Sequence, residues 1–330
     1  MDPFADLVRG VRADGALLGH SVLTPPWSVR YVHEAPLTLC AALAGSGWVI
    51  PAEGEPVRLT PNAMAVVRGP EPFVVADEPG RRPVATVRRG ELCTVAPSGE
   101  YLVDSPAPGP LATGGGATLV VGAYRAPGEV GRRLLDALPP ALVVSGESVP
   151  FLELKLFADE VCSLEPGQQV VLDRLLDLLL VGTLRAWFAH EDTEPPAWFS
   201  ALGDPMIGPV LRAMHAEPGR PWTVVTLAEV AGASRAAFAR RFTALVGEPP
   251  LAYLTGWRMT LAADLLRRQG TSVASVARQV GYADSFAFSS AFKRVRGVSP
   301  SVYRAGGSGF TDQESSATSS VLVAPSHRKD

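Results

Sequence analysis

Apolar residues follow two different rhythms along this chain. Over the first 125 residues they come in short runs: LTLCAALAGSGWVI, PVRLTPNAMAVVRG, PFVVAD, RPVATVRRG, CTVAPSG and ATLVVGAYR. Val, Leu, Thr and Ala fill the runs, and Gly, Pro or Asn bound them, as in strands separated by turns. Six such runs with no helical period between them predict a β-sandwich or small barrel over about 1–125. From Glu129 the spacing becomes that of helices, in GEVGRRLLDAL, PFLELKLFADEVCSL and GQQVVLDRLLDLLLVGTLRAWFAHE. These helices, over about 129–189, carry leucine stripes suited to packing on the barrel or on a second copy of the chain. The Pro-rich EDTEPPAWFSALGDP then marks a boundary, so that 1–190 is one domain and 191–203 a linker. The Gly/Ser-rich residues 306–330 are expected to be a disordered tail.

The block 204–305 repeats itself. TLAEVAGASRAAFARRFTALVGEPPLAY aligns with SVARQVGYADSFAFSSAFKRVRGVSPSVY at an offset of 49 residues, rising to 50 after the turn. Leu227 pairs with Val276, Ala228 with Ala277, Gly232 with Gly281, Phe238 with Phe288 and Phe242 with Phe292. Each copy, about 224–246 and 273–296, has the parts of a helix-turn-helix. A small residue lets two helices cross, a glycine ends the first helix, and two phenylalanines at i and i+4 tie the second to the core. The outward face is then Arg235, Ala236, Ala239, Arg240 and Thr243 in the first copy. In the second it is Ser285, Phe286, Ser289, Ser290 and Lys293, with Arg294 and Arg296 close by. Arginine reads guanine edges bidentately, serine donates or accepts, and the remaining cations suit phosphates. Between the copies, PLAYLTGWRMTLAADLLRRQG puts Leu254, Trp257, Leu261 and Leu265 on one stripe. A helix of that length, about 30 Å, suits two recognition helices about one DNA turn, near 34 Å, apart.

Charge follows the same division. Residues 1–203 hold 15 Lys and Arg against 24 Asp and Glu, whereas 204–305 hold 13 against 6. A basic block on a chain of net charge −3 points to a polyanion partner. No apolar run reaches the ~18 residues of a membrane span, and the N-terminus lacks a signal pattern, so a cytoplasmic protein is expected.

The block 204–305 resembles the DNA-binding domain of the AraC/XylS transcriptional regulators, on the two repeats quoted above. The resemblance implies seven helices, two helix-turn-helix units in adjacent major grooves, and control of transcription. The family's base-reading arginine of the first unit corresponds to Arg240. Ser290 stands where the second unit often has arginine, and Ala236 where the first has an aromatic or polar reader. Residues 1–190 resemble a cupin-like sensor domain of the same family on LTPPWSVRY and VRLTPNAMAVVRGPEPFVVAD. Pro61-Asn62 replaces the usual Pro-Gly turn, and Phe73 lies near a position where histidine is common. Metal-binding cupins use an HxH pair, which this chain lacks, so no metal and no cofactor are expected.

The expected fold is therefore a multi-domain α and β protein: a cupin-like β-barrel with following helices, then an all-α domain with two helix-turn-helix units. The expected function is sequence-specific, DNA-binding transcriptional regulation, not enzymatic catalysis. Double-stranded DNA is the first partner, RNA polymerase a candidate one, and a homodimer the expected assembly, with no membrane partner. An unidentified small-molecule or redox signal would act on the N-terminal domain. Trp27, Tyr31 and Trp48 are candidates for lining a pocket there. Two alternatives remain. A cupin enzyme with an appended nucleic-acid module would need an acid/base or metal cluster. A thiol sensor would use Cys40, Cys93 or Cys162, which as free cysteines otherwise pack as small apolar side chains.

Overall fold

The structure, a computed structural model, describes residues 2–13, 19–88, 91–94, 116–126, 128–146, 154, 156–157, 159–160, 165–190 and 193–307. Packing divides the chain into two units: Met1–Glu217 with Trp222–Tyr253, and Pro218–Pro221 with the chain from Leu254 on.

The first unit contains twelve described strands in two six-stranded sheets. One sheet holds β1 (Arg12–Ala13), β2 (Gly19–Leu23), β4 (Leu37–Ala44), β7 (Met64–Arg68), β11 (Ala117–Arg125) and β12 (Ala141–Val144). The other holds β3 (Ser28–Val32), β5 (Gly47–Ile50), β6 (Val57–Leu59), β8 (Phe73–Ala76), β9 (Ala85–Arg88) and β10 (Glu91–Thr94). Among the described residues these strands form two sheets of the cupin-like domain, with no pairing between them. Alternate residues of both sheets meet in one core, including Val29 and Tyr31, Cys40 and Ala42, Ala65 and Val67, Phe73 and Val75, and Leu119 and Val121. That is the period of two expected of strands with one face inward. The single apolar run LTLCAALAGSGWVI breaks at Gly45-Ser46 and feeds β4 and β5 into different sheets. Asn62, in the expected turn, takes φ 63°.

Three elements depart from the sequence expectation. The chain opens not with a strand but with helix α1 (Pro3–Arg9), because Asp2 caps it by accepting from the Ala5 N–H at 2.8 Å and Pro3 opens the first turn. After α2 (Gly128–Leu135), Ala141–Val144 forms strand β12 on β7. Pro139 and Pro140 on one side and Gly146 on the other leave only a four-residue apolar run, too short for a helix. The linker expected at 191–203 contains helix α4 (Ala197–Ala201), with Trp198 and Ala201 buried. Much of PFLELKLFADEVCSL and all of the tail from residue 308 lie outside the described residues.

Helix α3 (Gln168–Phe188) covers the outer face of the first sheet, which explains why β4 is apolar on both faces. The Tyr124 hydroxyl donates to the Leu176 carbonyl at 2.7 Å, and Asp177 accepts from the Arg12 guanidinium at 3.0 Å and the Ala13 N–H at 2.9 Å. Phe4, Phe188, Trp198 and Phe199 pack edge and face together, with Phe188 and Phe199 centroids 4.7 Å apart, and so join α1, α3 and α4.

Seven helices follow: α5 (Ile207–Ala216), α6 (Val224–Val230), α7 (Arg235–Val246), α8 (Pro250–Arg267), α9 (Val273–Gln279), α10 (Ser285–Arg296) and α11 (Pro300–Gly307). The core of the second unit is Met259, Ala262, Ala263 and Leu266 of α8, Val276 and Ala277 of α9 with Val280 just past its end, and Phe288, Ala291 and Phe292 of α10. Helix α8 is buried around much of its circumference, so Leu261 and Leu265, placed on its core stripe from sequence, are only half-buried.

Candidate nucleic-acid interface

Each repeat folds as a capped helix, a tight turn and a second capped helix. Thr223 and Thr226 cap α6 reciprocally, the Thr226 N–H donating to Thr223 Oγ1 at 3.1 Å and the Thr223 N–H to Thr226 Oγ1 at 2.9 Å. Ser234 Oγ caps α7 by accepting from the Ala237 N–H at 3.3 Å. In the second copy Ser272 caps α9, and Asp284 caps α10 by accepting from both the Phe286 and Ala287 N–H groups at 2.8 Å. Such caps each hold a helix end by about 1 kcal/mol. Gly232 and Gly281 make the turns at φ 61° and 83°.

Burial then decides which way each second helix faces. Phe238, Phe242 and Val246 fix one side of α7, leaving Arg235, Ala236, Arg240 and Thr243 exposed and Ala239 half-buried. Phe288, Ala291 and Phe292 fix one side of α10, leaving Phe286, Ser290, Lys293 and Arg294 exposed and Ser285 and Ser289 half-buried. The cations differ in their partners. Arg241, beside Arg240, donates twice to Asp204 Oδ2, at 3.1 and 2.6 Å. The same carboxylate group accepts from the Met206 and Ile207 N–H groups, and these bonds hold its pKa below the usual value against the opposing effect of burial. Arg240 has no ion-pair partner among the described residues. Arg296, counted from sequence with the outward cations, is half-buried and donates to Thr260 Oγ1 at 3.3 Å, so it faces its own core helix.

Residues 2–189 match the family model of a cupin, and residues 227–306 match that of a helix-turn-helix domain. An AraC-like transcription regulator of Streptomyces lividans is 30% identical over 313 residues, covering 92% of this chain and 98% of that protein. The chain belongs to the AraC family of transcriptional regulators. The regulator AlkR of Acinetobacter baylyi is 37% identical over 181 residues, 53% of this chain and 59% of that one. Among solved structures, the DNA-binding domain of AdpA with its target DNA is 34% identical, covers 34% of this chain and 99% of that one, and has a TM-score of 0.32. This AraC-family protein is therefore a DNA-binding transcription regulator with a cupin N-terminal domain.

In the regulator's sandwich the three aromatics chosen from sequence do not converge. Trp27 and Tyr31 are buried in the core, whereas Trp48 is half-buried, on the alternate face of β5 from the core residue Val49. Trp27 lies over Gly47, where a Cβ would meet its ring at 2.8 Å. Tyr31 stacks on Phe73 with centroids 4.9 Å apart. A recess edged by Tyr31, His33, Glu34 and Phe73 leaves no room for a water molecule. No group of three or more His, Cys, Asp or Glu able to hold a metal ion occurs among the described residues. Cys40 is buried, which pushes its pKa up to about 12. Cys162 and the side chain of Cys93 lie outside what is described. No described helix is long and apolar enough to cross a membrane.

Two polar constellations, one around buried His215 and one around half-buried Arg258, carry no signal in the sequence. His215 Nδ1 lies 2.9 Å from Asp6 Oδ2 and its Nε2 2.8 Å from the Tyr253 hydroxyl, while the Arg133 guanidinium sits 5.4 Å over the Tyr253 ring. The ring thus donates through Nδ1 and accepts through Nε2, and burial lowers its pKa more than Asp6 raises it. In the second unit the Arg258 guanidinium donates to the carbonyls of Pro218 and Arg220, each at 2.7 Å, and holds that loop. Both constellations join residues about 40 or more apart in sequence.

Proposed function

We propose that the regulator reads its operator chiefly through α7, with Arg240 as the base-reading residue, while α10 grips phosphates through Lys293 and Arg294. The observation that carries this is the contrast between neighbours. Arg241 is neutralised by Asp204, and Arg240 stands exposed beside it with no ion pair to a described residue, on the side away from Phe238 and Phe242. A guanidinium so presented suits bidentate bonds to guanine O6 and N7. Arg235, Ala236, Ala239 and Thr243 would flank it, and Ser285, Ser289 and Ser290 offer only short hydroxyls on α10.

The regulator is read as a non-enzyme acting in the cytoplasm, with RNA polymerase as the partner through which bound protein alters transcription. The sandwich would receive a small-molecule signal, and α3 would join two copies, since Val171 and Leu178 are exposed on its outer face. Thiol sensing through Cys40 is disfavoured by its burial. The test is selection of bound duplexes from a random library by the full-length protein, followed by Arg240→Ala on the selected site. The expected loss is about 1–3 kcal/mol with relaxed preference at one base pair. Equal loss on selected and scrambled DNA would reduce Arg240 to a phosphate contact, and Arg241→Ala is the control that should alter stability rather than base preference.

A further inference from the structure

At the position equivalent to Arg240 the second recognition helix has Ser290, whose hydroxyl is too short to do what a guanidinium does, yet the helix carries an unusual side chain near its start. Phe286 is 87% exposed, more than any other large apolar side chain among the described residues. It makes no ring contact with another described aromatic. Its place is set rigidly. Asp284 caps the helix through the Phe286 and Ala287 N–H groups, and Phe288 and Phe292 turn the opposite side into the core. Ser289 and Ser290, one turn further on, are short, so the benzyl ring projects beyond them. Residues near the start of a recognition helix are those that meet base edges. The equivalent residue of the first repeat is Ala236, too small to reach as far.

From this geometry we infer that Phe286 selects a thymine, through its C5-methyl group, in the half of the operator that α10 meets. This rests on the DNA-reading role proposed above and adds the base that the second unit chooses. The ring carries no hydrogen-bond donor or acceptor, and the C5-methyl of a pyrimidine is the apolar feature of the major groove. Against guanine, adenine or unmethylated cytosine the same ring would strip water from a polar edge and give nothing back. The preference is thus selective as well as attractive. Lys293 and Arg294, exposed on the same helix, supply the phosphate contacts that hold the ring in the groove.

The experiment uses the full-length protein and the duplex it selects from a random library. Each thymine is replaced singly by deoxyuridine, which removes the methyl and keeps the pairing. One replacement should weaken wild-type binding about fourfold, the factor for one buried methyl-sized group. That thymine should lie in the half-site whose base preference Arg240→Ala leaves unchanged. Phe286→Ala should bind thymine and uracil sites equally, and Phe286→Leu should keep part of the difference. The ring is exposed, so neither variant threatens the fold. A selected site at which no uracil matters, or a uracil effect that persists in Phe286→Ala, overturns the role of Phe286 and leaves that of Arg240 standing. If Phe286→Ala leaves DNA binding unchanged but abolishes transcriptional output, the ring meets a protein and the inference also falls. Failure to select any site overturns both readings together.

Discussion

Alanine at Gly281 would place a methyl carbon 2.5 Å from the Gly219 carbonyl oxygen and 2.9 Å from its carbonyl carbon. Neither atom can move aside, because the chain around Gly219 is held by Arg258, which donates to the carbonyls on either side of it at 2.7 Å. The backbone there also has φ 83°, a left-handed conformation that costs a residue with a Cβ about 1–2 kcal/mol. Overpacking adds about 1–3 kcal/mol, so Gly281→Ala should destabilise the second helix-turn-helix by about 2–5 kcal/mol. The first repeat provides the control. Gly232 has φ 61° but nothing within 4 Å of its would-be Cβ. Gly232→Ala should therefore cost only the backbone part, about 1–2 kcal/mol. Amide hydrogen exchange on the full chain reads both sites, through peptides covering α6–α7 and α9–α10. With about a tenfold change in opening for each 1.4 kcal/mol, Gly281→Ala should speed exchange in α9–α10 by about thirty- to four-thousandfold. Gly232→Ala should speed that in α6–α7 about tenfold. If Gly232→Ala loosens its own repeat as much as Gly281→Ala does, the argument from Gly219 is wrong.

Other consequences are open to direct measurement. In the native protein Cys40 should resist alkylation, because burial keeps it protonated at neutral pH; modification of Cys40 without unfolding would contradict this. The His215 pKa lies below the unfolded value of about 6.5, so the unfolded chain takes up a proton first and stability is lost as pH falls through that value. The melting temperature should decline from about pH 6.5 downward, and His215→Gln should show a shallower decline; parallel curves would remove His215 as a cause. Leu178 is 47% exposed on α3, so Leu178→Glu should leave the fold intact and convert a dimer to monomer in sedimentation. An unchanged sedimentation coefficient would move the interface elsewhere.

The helix-turn-helix units were legible from the sequence because everything they need is local. Phe238 with Phe242 and Phe288 with Phe292 mark the buried side of a helix at i and i+4, and Ser234 and Asp284 mark where those helices start. The opening helix was equally local in its signals, Asp2 then Pro3, but it is only seven residues long and sits before strand-like runs that dominate the window. The β12 strand was lost for a similar reason, its four residues falling between two helical stretches.

Short-range spacing thus determined the sheet-then-helix order, the two repeats and the outward faces of α7 and α10, because a helix or strand imposes its own period on the residues that must be buried. Only the tertiary structure decided which strands share a sheet, including β3 and β9, the parallel pair among the described strands. It alone separated Arg240 from Arg241, since the difference is an aspartate 37 positions away. It turned Arg296 toward Thr260, and it set Gly281 apart from Gly232 by placing Gly219 against one and nothing against the other. Partners that meet only after the chain has folded back on itself leave no period in the sequence, and they are what sort identical residues into exposed, bracing and packing positions.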